Sequence, residues 1–212
     1  LTATAGAIVD DGANGSVINA ANANLTAGTA IGATGANNEI DTTVGVLNAT
    51  ATNGSVFIGE TDAITLSTVS AGGLGNDVTI ANASGNMTLV NVSAPDQVFL
   101  TATAGSIVDD GVNGTVVAAT TANLNAAGAI GAVAANAEID TTVGTLNASA
   151  LAGSVFVGET DAITLNSVTA AGLGNDVTVV NTAGNMTLVA VSAPDAVNLT
   201  ATAGSILDDN AN

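Results

Sequence analysis

The feature that most restricts the fold is an internal repeat of 99 residues that returns without insertion or deletion. LTATAGAIVDDG at Leu1 comes back as LTATAGSIVDDG at Leu100 and as LTATAGSILDDN at Leu199. Aligning 1–99 with 100–198 leaves 29 differences, most of which keep shape or polarity, as at Ile18/Val117, Ile58/Val157 and Ile80/Val179. Residues 199–212 open a third copy, as a piece of a longer tandem array would. A gapless repeat asks each copy to offer the same surfaces to its neighbours, which is the condition for a stacked, quasi-one-dimensional molecule.

Each copy is subdivided again. The leucines Leu100, Leu124, Leu146, Leu165, Leu188 and Leu199 are spaced by 24, 22, 19, 23 and 11 residues, marking degenerate units of about 20 residues. Within a unit, apolar positions alternate: Val98, Leu100, Ala102 and Ala104 are separated by Phe99, Thr101 and Thr103. Val155 with Val157, Ile163 with Leu165 and Val177 with Val179 do the same. The runs end at Gly, Asn or Asp, residues that take φ > 0 at sharp corners. Pro95 and Pro194 fall in the same APD turn. Scattered glycine and β-branched residues, with no persistent 3.6-residue stripe, argue against helix.

Composition selects among the β architectures. Hydrophobic residues make up 47% of the chain and aromatic ones 1%, so the apolar mass is Ala, Val, Ile and Leu. These suit the narrow interior of a solenoid whose coils stack about 4.8 Å apart. An immunoglobulin-like sandwich, the main rival, carries longer strands and a larger core aromatic. Disorder is opposed by a mean hydropathy of +0.53 and only 8% charged residues. The expectation is an all-β, parallel β-solenoid in one continuous rod: copy one at 1–99, copy two at 100–198, and the start of a third at 199–212. About ten coils would give a rod on the order of 50 Å long.

Charge narrows function. The chain carries a net charge of −18, with no Lys, Arg, His or Cys. Nothing neutralises phosphates, which excludes nucleic acid and anionic membrane surfaces as partners. No zinc site, disulfide or catalytic triad can form. No stretch approaches 18 uninterrupted apolar residues, so membrane insertion by a helix is not expected either.

All 18 acids follow the repeat, eight per full copy and two in the third. Two E-x-D pairs, Glu39/Asp41 and Glu60/Asp62, recur as Glu138/Asp140 and Glu159/Asp161. On a strand, residues i and i+2 share a side, so each pair is expected to present two carboxylates together. Glu60 follows Glu39 at close to the length of one coil, so the two pairs would stack. Ca²⁺, which takes carboxylate and carbonyl oxygens in flexible sets, is the candidate ligand; solvated turn acids that keep strand edges unsticky are the alternative. GGLGNDVTI at Gly72–Ile80 resembles the nonapeptide of calcium-binding β-rolls, but Thr79 stands where a large apolar residue is expected and the motif occurs once per copy. It reads as a Gly-rich corner, with Asp77 and Asp176 as weaker ligand candidates. VDDGANG at Val9–Gly15 lacks the terminal Glu of an EF-hand loop and reads as a turn.

Enzymatic activity is not expected. A two-carboxylate glycosidase is the only chemistry open to these residues, and each pair is duplicated, with no aromatic platform for a sugar. T-x-T pairs such as Thr101/Thr103 recur per copy rather than per coil, so no regular ice-matching face follows. Eleven N-x-S/T sequons, Asn24, Asn48, Asn82 and Asn147 among them, admit surface glycans or a structural role in closing turns.

The phrases LTATAGSI, GSVFVGETDAITL and GNMTLVAVSA resemble repeats of large bacterial surface proteins of the filamentous-haemagglutinin-like, β-strand-repeat type. The resemblance implies a right-handed parallel β-helix, secretion, and a role in adhesion or a surface fibre. The expectation is an extracellular structural rod, part of a fibre or adhesin stalk. It would associate end to end or continue within a longer array. The alternative is a Ca²⁺-stiffened module that itself binds a host or neighbouring cell surface.

Overall fold

The computed structural model describes residues 1–35 and 37–211. Every regular element among them is a strand, and every strand pairing is parallel. The strands fall into two ladders that face each other across one core. Val56–Glu60, Val78–Asn82 and Gln97–Ala102 are consecutive rungs of one ladder. Ile64–Ala71, then Met87–Leu89 with Val92–Ser93, belong to the other. The chain crosses from ladder to ladder at each half-turn and completes about nine turns, a parallel β-solenoid.

Coil length varies. Asn24 stacks on Asn48, 24 residues along the chain, whereas Thr42 stacks on Glu60, only 18 residues along. The long strands Ile40–Ala51 and Ile139–Ala150 serve both ladders, bending at Gly45 and Gly144. Below them the register slips by one residue after Leu47 and after Leu146. Those slips let a long coil sit on a shorter one.

The interior is filled as the alternation predicts. Ile58, Ile80 and Leu100 form one inward column, and Leu124 stacks under Leu100. All four are buried in a single cluster that runs from Ala23 to Met186, through the junction between copies. At about 25 cal/mol per Å² of apolar surface removed from water, this column is the main favourable term in folding. Because neighbouring rungs are joined by backbone hydrogen bonds along both ladders, stability is a sum of coil-on-coil interfaces.

The repeat does not close on a whole number of coils. From Val56–Glu60 the chain crosses the rod nine times before reaching its counterpart Val155–Glu159, and nine is odd. Val56–Glu60 therefore lies in one ladder and Val155–Glu159 in the other. Thr2–Ala3 and Val197–Ala201 share a ladder, while their counterpart in Gln97–Ala102 lies opposite. Equivalent residues of successive copies thus face opposite ways.

Candidate functional site

The two E-x-D pairs of each copy behave differently: one separates and the other stays together. In Val56–Glu60 the inward positions are Val56, Ile58 and Glu60, so Glu60 enters the core at 2% exposure. Its strand ends there, and Asp62 lies in the exposed turn that follows. Glu159, 1% exposed, and exposed Asp161 repeat this. Glu39 and Asp41 do share an outward side: a Cβ added at Gly59 would lie 2.8 Å from Asp41 Oδ1 and 3.1 Å from Glu39 Cγ. Glu138 and Asp140 flank Gly158 in the same way. The two pairs of a copy do not stack, because the local coil is shorter than the spacing from Glu39 to Glu60 and it is Thr42 that lies over Glu60.

The buried glutamates form polar layers. Thr42, Glu60 and Asn82 are successive inward rungs, all buried, and Thr141, Glu159 and Asn181 repeat them in the opposite ladder. Glu60 accepts hydrogen bonds from Thr42 Oγ1 at 2.6 Å and from the N–H groups of Val44, Thr61 and Asp62 at 2.9–3.2 Å. Glu159 accepts from Thr141 Oγ1 at 2.7 Å and from the N–H groups of Val143, Thr160 and Asp161 at 2.8–3.1 Å. Burial raises both acids above the usual carboxylate range, Glu159 to about 7, against the lowering effect of these donors. Among the described residues the side-chain oxygens of Asn82 and Asn181 have no partner, while their amide groups donate to the Gly85 and Gly184 carbonyls. The signal was present in the sequence: Glu60 keeps the parity of Val56 and Ile58, and Asn82 that of Val78 and Ile80.

Other acids are spent on local structure. Asp77 receives the Gln97 N–H at 3.0 Å, and its own N–H donates to Ser55 Oγ at 3.0 Å, so one residue ties three coils. Asp176 repeats the arrangement with Ala196 and Ser154. The preceding glycines Gly73 and Gly75 have φ of 84° and 72° and carry Leu74 out to 99% exposure, a Gly-rich corner. Asp77→Ala should cost about 1–2 kcal/mol, the penalty for orphaning one backbone donor. Urea titration checks the cost, and faster hydrogen exchange at the Gln97 amide locates it. Asp10 and Asp11 close turns onto Gly12 and Ala13.

Asp109 and Asp140 are raised chiefly by burial, and each is raised further by neighbouring carboxylates, Asp110 among them. Among the described residues no group of three or more acids is placed to hold a metal ion. A cation approaching Glu60 or Glu159 would also have to displace four hydrogen-bond donors.

Several sequon asparagines have structural work. Asn48 donates to Asn24 at 3.1 Å, and in the second copy Asn166 donates to Asn147 and Asn147 to Asn123, at 2.8 and 2.9 Å. Asn82 is wholly buried.

No family model matches the chain, and neither a curated protein nor a solved structure matches it.

Proposed function

We propose that this chain is an extracellular structural rod, a length of surface fibre or adhesin stalk whose task is mechanical rather than catalytic. The observation that carries the reading is the unbroken core: coil stacks on coil through the copy junction with no change of register or interior. Backbone hydrogen bonds along two ladders resist extension and leave few openings for a protease. The resemblance of the repeat phrases to large bacterial surface proteins supports display outside the cell.

Association along the axis belongs to the same proposal. Val98 and Ile107, followed by a further coil, are fully buried; their counterparts Val197 and Ile206, on the last coil, are 43% and 45% exposed. A further coil, from the same chain or from another copy, would cover that surface.

Electron microscopy of native material, with antibody labelling of intact cells, tests the proposal. We expect elongated particles with a layer line near ~4.8 Å along the axis and label on unbroken cells. Label confined to lysed cells, or beaded particles without the layer line, would overturn it.

A further inference from the structure

The chain has three aromatic side chains, and all of them leave the core. Phe57, Phe99 and Phe156 take outward strand positions and are half-buried. Phe57 and Phe99 stand two rungs apart on one ladder with Thr79 between them, a separation of roughly 9.6 Å. With Ala33, Thr34 and Gly35 they wall a groove of about 520 Å³. Among the residues lining it, Glu39 alone is charged. That carboxylate is held in place by the Asn38 N–H, which donates to Oε2 at 3.1 Å, and by its packing beside Gly59.

We infer that this groove binds an organic cation, presented as an arginine or lysine side chain of a basic partner protein. Aromatic rings attract a cation through their quadrupoles, and apolar walls accept the methylene stem. The carboxylate supplies a charged hydrogen-bond acceptor. Charge complementarity selects this occupant over a neutral one. The rod has a net charge of −18 and no side-chain cation of its own to compete, so its field draws basic partners in from a distance.

The second copy supplies an internal comparison. The equivalent groove, on the opposite face, is lined by Phe156, Glu138 and Thr178 but measures only about 200 Å³. Val180 stands where the first groove has Ala81, and Asn198 where it has Phe99. One ring is lost and the floor is raised, so the second groove should bind the same cation more weakly. The inference does not rest on where the rod is displayed.

With no Trp, Tyr or His in the chain, the aromatic proton spectrum contains three phenylalanines alone. Residues 1–212 would be titrated with N-acetyl-arginine amide at ~0.15 M salt, where diffuse charge attraction is screened beyond about 8 Å. N-acetyl-glutamine amide and methyl glucoside serve as neutral probes. We expect saturable shifts at Phe57 and Phe99, weaker ones at Phe156, and none with either neutral probe. Phe99→Asn, a residue the second copy already carries at this position, should weaken binding about five-fold, and Glu39→Gln about ten-fold. Equal binding of a neutral probe, non-saturating shifts common to all three rings, or indifference to both substitutions would overturn the assignment.

Discussion

Raising the pH from about 4.5 to about 7 is expected to destabilise the fold, and acid to stabilise it. Glu159 is raised from 4.5 to about 7, and Glu60 is raised in the same direction, in both cases chiefly by burial. The folded chain therefore holds these protons more tightly than the unfolded chain does. The stabilising contribution is complete below the unfolded value and is lost as pH rises through the folded one. For Glu159 a difference of this size corresponds to roughly 3 kcal/mol. Protonation suits the site: Thr42 Oγ1 also lies 3.2 Å from the Gly59 carbonyl, to which it can donate while accepting from a protonated Glu60. The test is urea denaturation at pH values from about 4.5 to 8, on the wild-type chain and on Glu60→Gln/Glu159→Gln. The wild-type midpoint should fall across this range, and the double variant should fall distinctly less, keeping only the contribution of groups such as Asp109 and Asp140 that are raised in the same direction. A wild-type midpoint that rises with pH would refute the account.

A second large loss is expected from Gly105→Ala. A Cβ at this position would collide with the carbonyl oxygen of Gly85 and lie 3.0 Å from the backbone nitrogen of Asn86, on the coil next to it. The obstacle is backbone hydrogen-bonded into its own coil, so relief requires prising two coils apart. Overpacking of this kind costs about 1–3 kcal/mol when side chains can yield; here the cost should reach or exceed the top of that range. Gly6→Ala is the control, since a Cβ there meets nothing within 4 Å and its φ is not positive. Thermal melts should separate the two variants by roughly 6–12 °C or more for a domain of this size. Equal melting temperatures would show that the coils slide freely past one another.

Much of this fold was legible because the solenoid writes its inside on alternate residues. Leu146, Leu165 and Leu188 do stack one above another, as their spacings of 19 and 23 suggest. Leu124 does not sit on Leu146: its partner is Ala148, because that coil spans 24 residues, as the pairing of Asn123 with Asn147 also shows. The spacing of 11 from Leu188 to Leu199 was a half-turn, which carries Leu199 to the other ladder. Treating every unit as a whole coil hid that crossing, and with it the odd number of half-turns per repeat.

Residue type and spacing alone misplace Glu60. A charged residue is ordinarily outside, yet the parity of its strand places it within. Nor could sequence show that Gly105 is small because another backbone passes beside it rather than because it turns a corner. Its φ is not positive, and only the neighbouring coil reveals the constraint.

The odd half-turn gives a tandem array of this repeat the symmetry of a twofold screw. Each copy advances about 22 Å along the axis, four and a half coils at ~4.8 Å, and rotates by half a revolution. A motif carried once per copy then appears on one side every ~43 Å and on the opposite side midway between. A rod built this way has no unique front. It can engage neighbours on two flanks with one set of contacts, so lateral growth would produce a flat ribbon or raft rather than a closed bundle. The spacing of cross-links in such a raft would be set by the phase of the repeat, before any side chain at the contact is chosen.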